Sequence, residues 1–122
     1  MTLQFAFRAS AQTFPFPQHA IYAPGVVKPN GVTQASMDNT VSNFWYTWKG
    51  RYLRTAGTGG YYVYYNYENP IDEAATVSEA HGYGMVLSAY MAGADPQART
   101  YVDGLFRYYT NHPSGINPRL MS

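Results

Sequence analysis

No cysteine occurs among the 122 residues, and that absence removes disulfide frameworks, thiolate metal sites and cysteine nucleophiles. Charge is also scarce. Only 12% of residues are charged, about half the roughly 25% usual in soluble domains, and eight Lys+Arg against seven Asp+Glu leave a net charge of +1. Without a basic block there is no electrostatic footprint for nucleic acid or an anionic membrane. No apolar run approaches the roughly 20 residues needed to span a bilayer. His19, His81 and His112 do not stand at metal-ligand spacing, so neither a metal nor a cofactor is expected. Aromatic residues are what the chain has in plenty. Thirteen tyrosines, two tryptophans and six phenylalanines make up 17% of it, and a hydrophobic share of 46% excludes an intrinsically disordered chain.

Residues 1–12 read as a tail or as the remnant of an export signal. Ala9-Ser10-Ala11 has the small-residue pattern of a cleavage site, but the apolar stretch before it is short and Arg8 interrupts it. Residues 13–34, rich in proline and glycine, form an extended lead-in. A helix is predicted over residues 34–54, capped by Thr33 or Ser36, because Met37, Val41, Phe44, Trp45, Trp48 and Tyr52 fall on one face of a 3.6-residue repeat. Gly57-Thr58-Gly59-Gly60 ends it and opens an aromatic ribbon over residues 61–67. A second helix is predicted over residues 77–92. A third opens at Asp95-Pro96 with Asp95 as its cap, and its apolar face is Ala98, Val102, Leu105, Phe106 and Tyr109. The fold class is therefore mainly all-α with a short β ribbon. Such broad apolar faces on so short a chain imply part of a larger helical assembly, or a chain that pairs with another.

Residues 76–85 carry the chemistry. Glu79 shares a helical face with Tyr83, Val86 and Tyr90, and a carboxylate on an otherwise apolar, inward face is costly unless paired or functional. Gly82 and Gly84, either side of Tyr83, weaken the helix and allow close approach of a backbone or a ligand. A structural alternative is equally explicit: Thr76-x-x-Glu79 matches a capping box, with Thr76 covering the Glu79 amide. A cap wants the carboxylate as an anion at the helix N-terminus, whereas a general acid must keep its proton near neutral pH.

The run Ser78-Glu79-Ala80-His81-Gly82-Tyr83-Gly84-Met85 resembles the S-E-x-x-G-Y-G-M signature of glycoside hydrolase family 8, which includes cellulases, licheninases, chitosanases and xylanases. Similarity extends to Phe16-Pro17-Gln18-His19, the Trp45/Trp48 helix, Asp103-Gly104-Leu105 and Asn117-Pro118-Arg119-Leu120-Met121. The resemblance implies that residues 13–122 are the N-terminal part of a secreted catalytic domain folded as an (α/α)6 toroid. It also implies that Glu79 is the general acid, and Tyr83, one turn on, a substrate-facing ring. Members of the family invert the anomeric centre, with a second group activating water roughly 6.5–9.5 Å from the acid. Ala80 stands where many members have glycine and the residue at His81 varies, which leaves the preferred polysaccharide open.

By the same resemblance the catalytic base lies downstream, outside this chain. Its own other carboxylates are poor substitutes: Asp38 belongs to a helix start, Asp95 to a cap and Asp103 to a solvated face. Asp72 and Glu73, in the loop before Glu79, are the nearest in sequence. The expected partners are a β-1,4-linked polysaccharide, β-glucan or cellulose-like, and the remainder of the catalytic domain, with the chain alone inactive. The alternatives are a carbohydrate-binding module using Trp45, Trp48 or the tyrosines of residues 61–67, or an inactive truncated product. For the tyrosine run itself, core cover competes with sugar stacking.

Overall fold

Helix α1 (Gln34–Tyr52) starts where Thr33 Oγ1 accepts the Ser36 amide at 3.1 Å, and Lys49 and Arg51 in its last turn oppose the helix dipole favourably. The computed structural model describes residues 15–18, 24–25, 27, 29–65 and 76–121. The tail over residues 1–12, His19, Glu68, Asp72, Glu73 and the end of the ribbon at Asn66 and Tyr67 therefore lie outside the described residues. The described lead-in carries neither helix nor strand, as expected.

α1 stops two residues before its predicted end. Leu53 turns extended, and β1 (Leu53–Ala56) pairs antiparallel with β2 (Gly60–Val63), placing Leu53 opposite Val63 and Arg54 opposite Tyr62. The apolar repeat itself ends at Tyr52, and pairing with the β-favouring Tyr62 and Val63 draws Leu53 and Arg54 into a strand. The hairpin turn needs left-handed backbone at Thr58 (φ 61°) and Gly59 (φ 75°), and Arg107 Nη1 from the third helix donates to both their carbonyls, at 3.1 and 3.0 Å.

α2 (Ser78–Tyr90) continues into a 3₁₀ turn over Met91–Gly93, and α3 (Ala98–Asn111) starts later than Asp95-Pro96 predicts. Asp95 does accept the Gln97 amide at 3.0 Å, but its main partners are elsewhere in the fold. α3 lies across β2: Gly104 admits the Tyr61 ring, and Tyr61 meets Tyr101 edge-on at 5.2 Å. The core gathers Trp45, Met91 and Tyr101, with Phe16, Trp48, Leu53, Tyr61, Leu87 and Ala94 packed on it. Of the predicted α3 face, Ala98 and Leu105 are buried, Val102 and Tyr109 half-buried and Phe106 exposed.

Two apolar faces are not where hydrophobicity alone would bury them. On α1 only Trp45 is buried, while Phe44 is 68% exposed. On α2 the buried residues are His81, Gly84 and Ser88, and the Tyr83–Val86–Tyr90 face predicted to point inward is open. The reason is close packing. Small residues let α2 approach β2 until Gly84 touches the Val63 side chain, while Ser88 returns its hydroxyl to the Gly84 carbonyl at 2.7 Å.

Candidate active site

The first turn of α2 carries Glu79, the residue expected to be the acid. Its N-cap is Val77, without a side-chain cap, so the Thr76–Glu79 capping box is not formed; the Thr76 hydroxyl points to the Val77 carbonyl instead, at 3.4 Å. Thr76 lies one residue too early to cap a helix beginning at Ser78. Glu79 is the acidic residue of that turn and is exposed. Tyr83 stands one turn on and is 62% exposed, so both predicted site residues emerge on the same open face with Val86 and Tyr90.

Two hollows flank this turn. One, about 310 Å³, is walled by Trp48 and Tyr52 of α1, Val63, Tyr64 and Tyr65 at the end of the hairpin, and Ala80, Tyr83 and Leu87 of α2. It is an aromatic groove beside the Glu79 turn. The other, also about 310 Å³, lies on the far side between Ser78, His81, Gly82 and Met85 of α2 and Tyr109, Arg119, Leu120 and Met121. Trp45 joins neither. It is 2% exposed and donates its indole N–H to Asp95 Oδ2 at 2.8 Å, which excludes it as a sugar platform. Of the ribbon tyrosines, Tyr61 packs on Tyr101 and Tyr62 on Tyr108, whereas Tyr64 and Tyr65 line the groove.

The other described carboxylates are engaged. Gln34 Nε2 donates to Asp38 at 3.0 Å, and Asp103 pairs with Arg99 at 3.7 Å on the surface. Asp95, only 3% exposed, binds Lys49 Nζ at 2.7 Å. Burial pushes the Asp95 carboxyl upward, but hydrogen bonds from Lys49, Trp45 and the Gln97 amide, with the Lys49 charge, hold it below the usual carboxylate range. Burial likewise lowers Lys49, yet Asp95 and the Tyr101 hydroxyl leave it raised overall. This knot sets the relation of α1 to the α2–α3 connection. Its one local mark in the sequence is the placing of Trp45 and Lys49 one helical turn apart on α1. Among the described residues no three His, Asp or Glu side chains gather as a metal site would require.

His81, two residues from Glu79, lies on the opposite, buried side of α2 and makes an interhelical contact. Its Nε2 is 2.8 Å from the Leu105 carbonyl of α3, and because a carbonyl only accepts, Nε2 carries the hydrogen. Burial pushes the imidazole below the usual histidine value, opposed by the Leu105 bond and assisted by nearby His112.

No protein-family model matches the chain. A beta-glucanase of Niallia circulans is 51% identical over 117 residues, 96% of this chain and 27% of that sequence. An endoglucanase of Bacillus sp. (strain KSM-330) is 42% identical over 112 residues, covering 88% of this chain and 24% of the relative. The solved apo structure of a beta-1,3-1,4-glucanase from Paenibacillus sp. X4 superposes with a TM-score of 0.77 at 54% identity, over 91% of this chain and 28% of that one. By fold and sequence the chain is thus similar to proteins named as glucanases. More particularly, it is homologous to part of bacterial glucanases and spans about a quarter of the length of the curated relatives it matches.

Proposed function

We propose that the chain supplies the proton donor of an inverting glycoside hydrolase of the family 8 type, which cleaves β-1,4-linked glucan, with Glu79 as general acid. The observation that carries this reading is the Ser78–Met85 motif, which spans the first two turns of α2 with Glu79 and Tyr83 both turned outward. Glu79 protonates the glycosidic oxygen as the C–O bond breaks, and a base outside the described residues takes a proton from the attacking water. Tyr83 offers a ring face to a sugar beside the acid.

On this reading residues 13–122 are the N-terminal part of an (α/α)6 toroid, and the open faces of α1 and α2 pack against the rest of it. Residues 1–12 are a tail or the remnant of an export signal, and the enzyme works outside the cell on polysaccharide. No described helix is long and apolar enough to cross a membrane. The test puts residues 13–122 in place of the matching stretch of the Niallia circulans beta-glucanase and follows β-glucan hydrolysis by that exchanged glucanase with proton NMR. The α-anomer should appear first, and a β-anomer product would contradict inversion.

A second reading rests on the aromatic groove of Trp48, Tyr52, Tyr64, Tyr65 and Tyr83. A groove of this kind suits a carbohydrate-binding module, and retention of the isolated chain on insoluble glucan would favour that role.

A further inference from the structure

The first turn of α2 has no side-chain cap, and uncapped helix starts fray. What ties this one down is His81. Its ring is 2% exposed and its Nε2–H reaches the Leu105 carbonyl across the α2–α3 joint at 2.8 Å. One ring face lies on Tyr108, with centroids 5.4 Å apart and planes at 29°, and Tyr108 is itself stacked on His112 and on Tyr62. Two residues along a helix is a rotation of about 200°, so the ring that anchors the inner side leaves Glu79 displayed on the outer one.

The other ring nitrogen is the informative one. Nδ1 is buried and has no hydrogen-bond partner among the described residues. It suits a neutral imidazole protonated at Nε2. A second proton would create a buried N–H donor with nothing to accept it, which is costly. Groups facing the ring from each neighbouring element do not relieve that cost. Tyr108 and Tyr109 come from α3, His112 is the residue that caps its C-terminus, Tyr62 lies behind Tyr108 from β2, and Arg119 lines the adjoining hollow from the turn near Asn117. None of these is a carboxylate, and His112 and Arg119 oppose a further positive charge.

We propose that His81 is a positioning residue that holds the Glu79 turn in place, and that it does so only as the neutral imidazole. The proposal rests on Glu79 being the proton donor, but its test does not use turnover. In the 122-residue chain, NMR from pH 8 down to about pH 4.5 follows the His81 ring, the Glu79 resonances and the hydrogen exchange of the His81 and Gly82 amides. The His81 midpoint should fall below the ordinary value of about 6.5. As the ring takes its proton, the Glu79 resonances should move and the two amides should lose about tenfold or more in protection. His81→Leu should weaken protection at every pH and remove its pH dependence, and His81→Gln, which keeps an N–H donor for Leu105, should restore part of it without restoring the dependence. A midpoint at or above the ordinary value, which an unfolded chain would also give, overturns the proposal. So does protection that ignores the protonation of the ring. If Glu79→Gln leaves glucan turnover intact in the exchanged glucanase while these signals behave as stated, the assignment of the acid fails and the His81 tether stands.

Discussion

The Asp95 carboxylate lies 2.7 Å from Lys49 Nζ, across 46 residues of chain, in a place where Asp95 is 3% exposed. The same Oδ2 accepts the Trp45 indole N–H, and the Lys49 ammonium sits 4.7 Å from the Tyr46 ring centroid and 5.0 Å from that of Tyr101. Removing the carboxylate would leave a largely buried ammonium and an indole N–H without their acceptor. Asp95→Ala should therefore cost about 3 kcal/mol of stability, measured by urea unfolding. Asp95→Asn, which can still accept from Trp45, should cost less.

Acid should act on the fold in two separate steps. His81 has a lowered value in the folded state, so its contribution is complete above about pH 6.5 and is lost as pH falls from there through the folded midpoint. Asp95 is also lowered, so its contribution is complete above about pH 3.9 and is lost as pH falls through its own folded value. Urea unfolding across this range should show both losses. His81→Leu should erase the upper one alone and Asp95→Asn the lower one alone.

The two glycines beside Tyr83 should behave oppositely. A Cβ on Gly84 would collide with Val63 Cγ2, whereas a Cβ on Gly82 would meet nothing within 4 Å. Gly84→Ala should destabilise the chain by about 1–3 kcal/mol, as overpacking does. Gly82→Ala should stabilise it by about 0.5–1 kcal/mol through helix propensity. Thermal melts of the two variants check both signs.

The open face of α1 and α2, carrying Phe44, Tyr83, Val86 and Tyr90, should bind a hydrophobic dye or drive self-association in the isolated chain. Phe44→Ser with Tyr83→Ser should reduce both while changing stability by no more than about 0.5 kcal/mol, since neither side chain is buried. Sedimentation and dye fluorescence read the outcome.

Local signals carried a good part of this fold. Thr33 caps α1 as its position suggests, the Gly57–Gly60 break is a turn, and three helices stand near their expected places. What escaped depended on distant partners. Nothing local marks Leu53 and Arg54 as a strand, and only pairing with Val63 and Tyr62 makes them one. Asp95-Pro96 looks like a helix start, and only Lys49 and Trp45 turn Asp95 inward. The buried side of α2 escaped because close packing chose small and polar residues over tyrosine and valine. At the site, the motif put Glu79 and Tyr83 on one face, and the structure leaves both there. The role of His81 was hidden because its acceptor is a backbone carbonyl 24 residues away.

General-acid assistance leaves a signature that a merely structural glutamate does not: its loss hurts poor leaving groups and spares good ones. The decisive measurement compares wild type with Glu79→Gln in the exchanged glucanase, on β-glucan and on an aryl β-cello-oligosaccharide with an acidic phenol. The account predicts a fall of roughly 100-fold or more in kcat on β-glucan with little change on the aryl substrate. Equal losses on both substrates, or undiminished turnover of β-glucan, would contradict Glu79 as the proton donor.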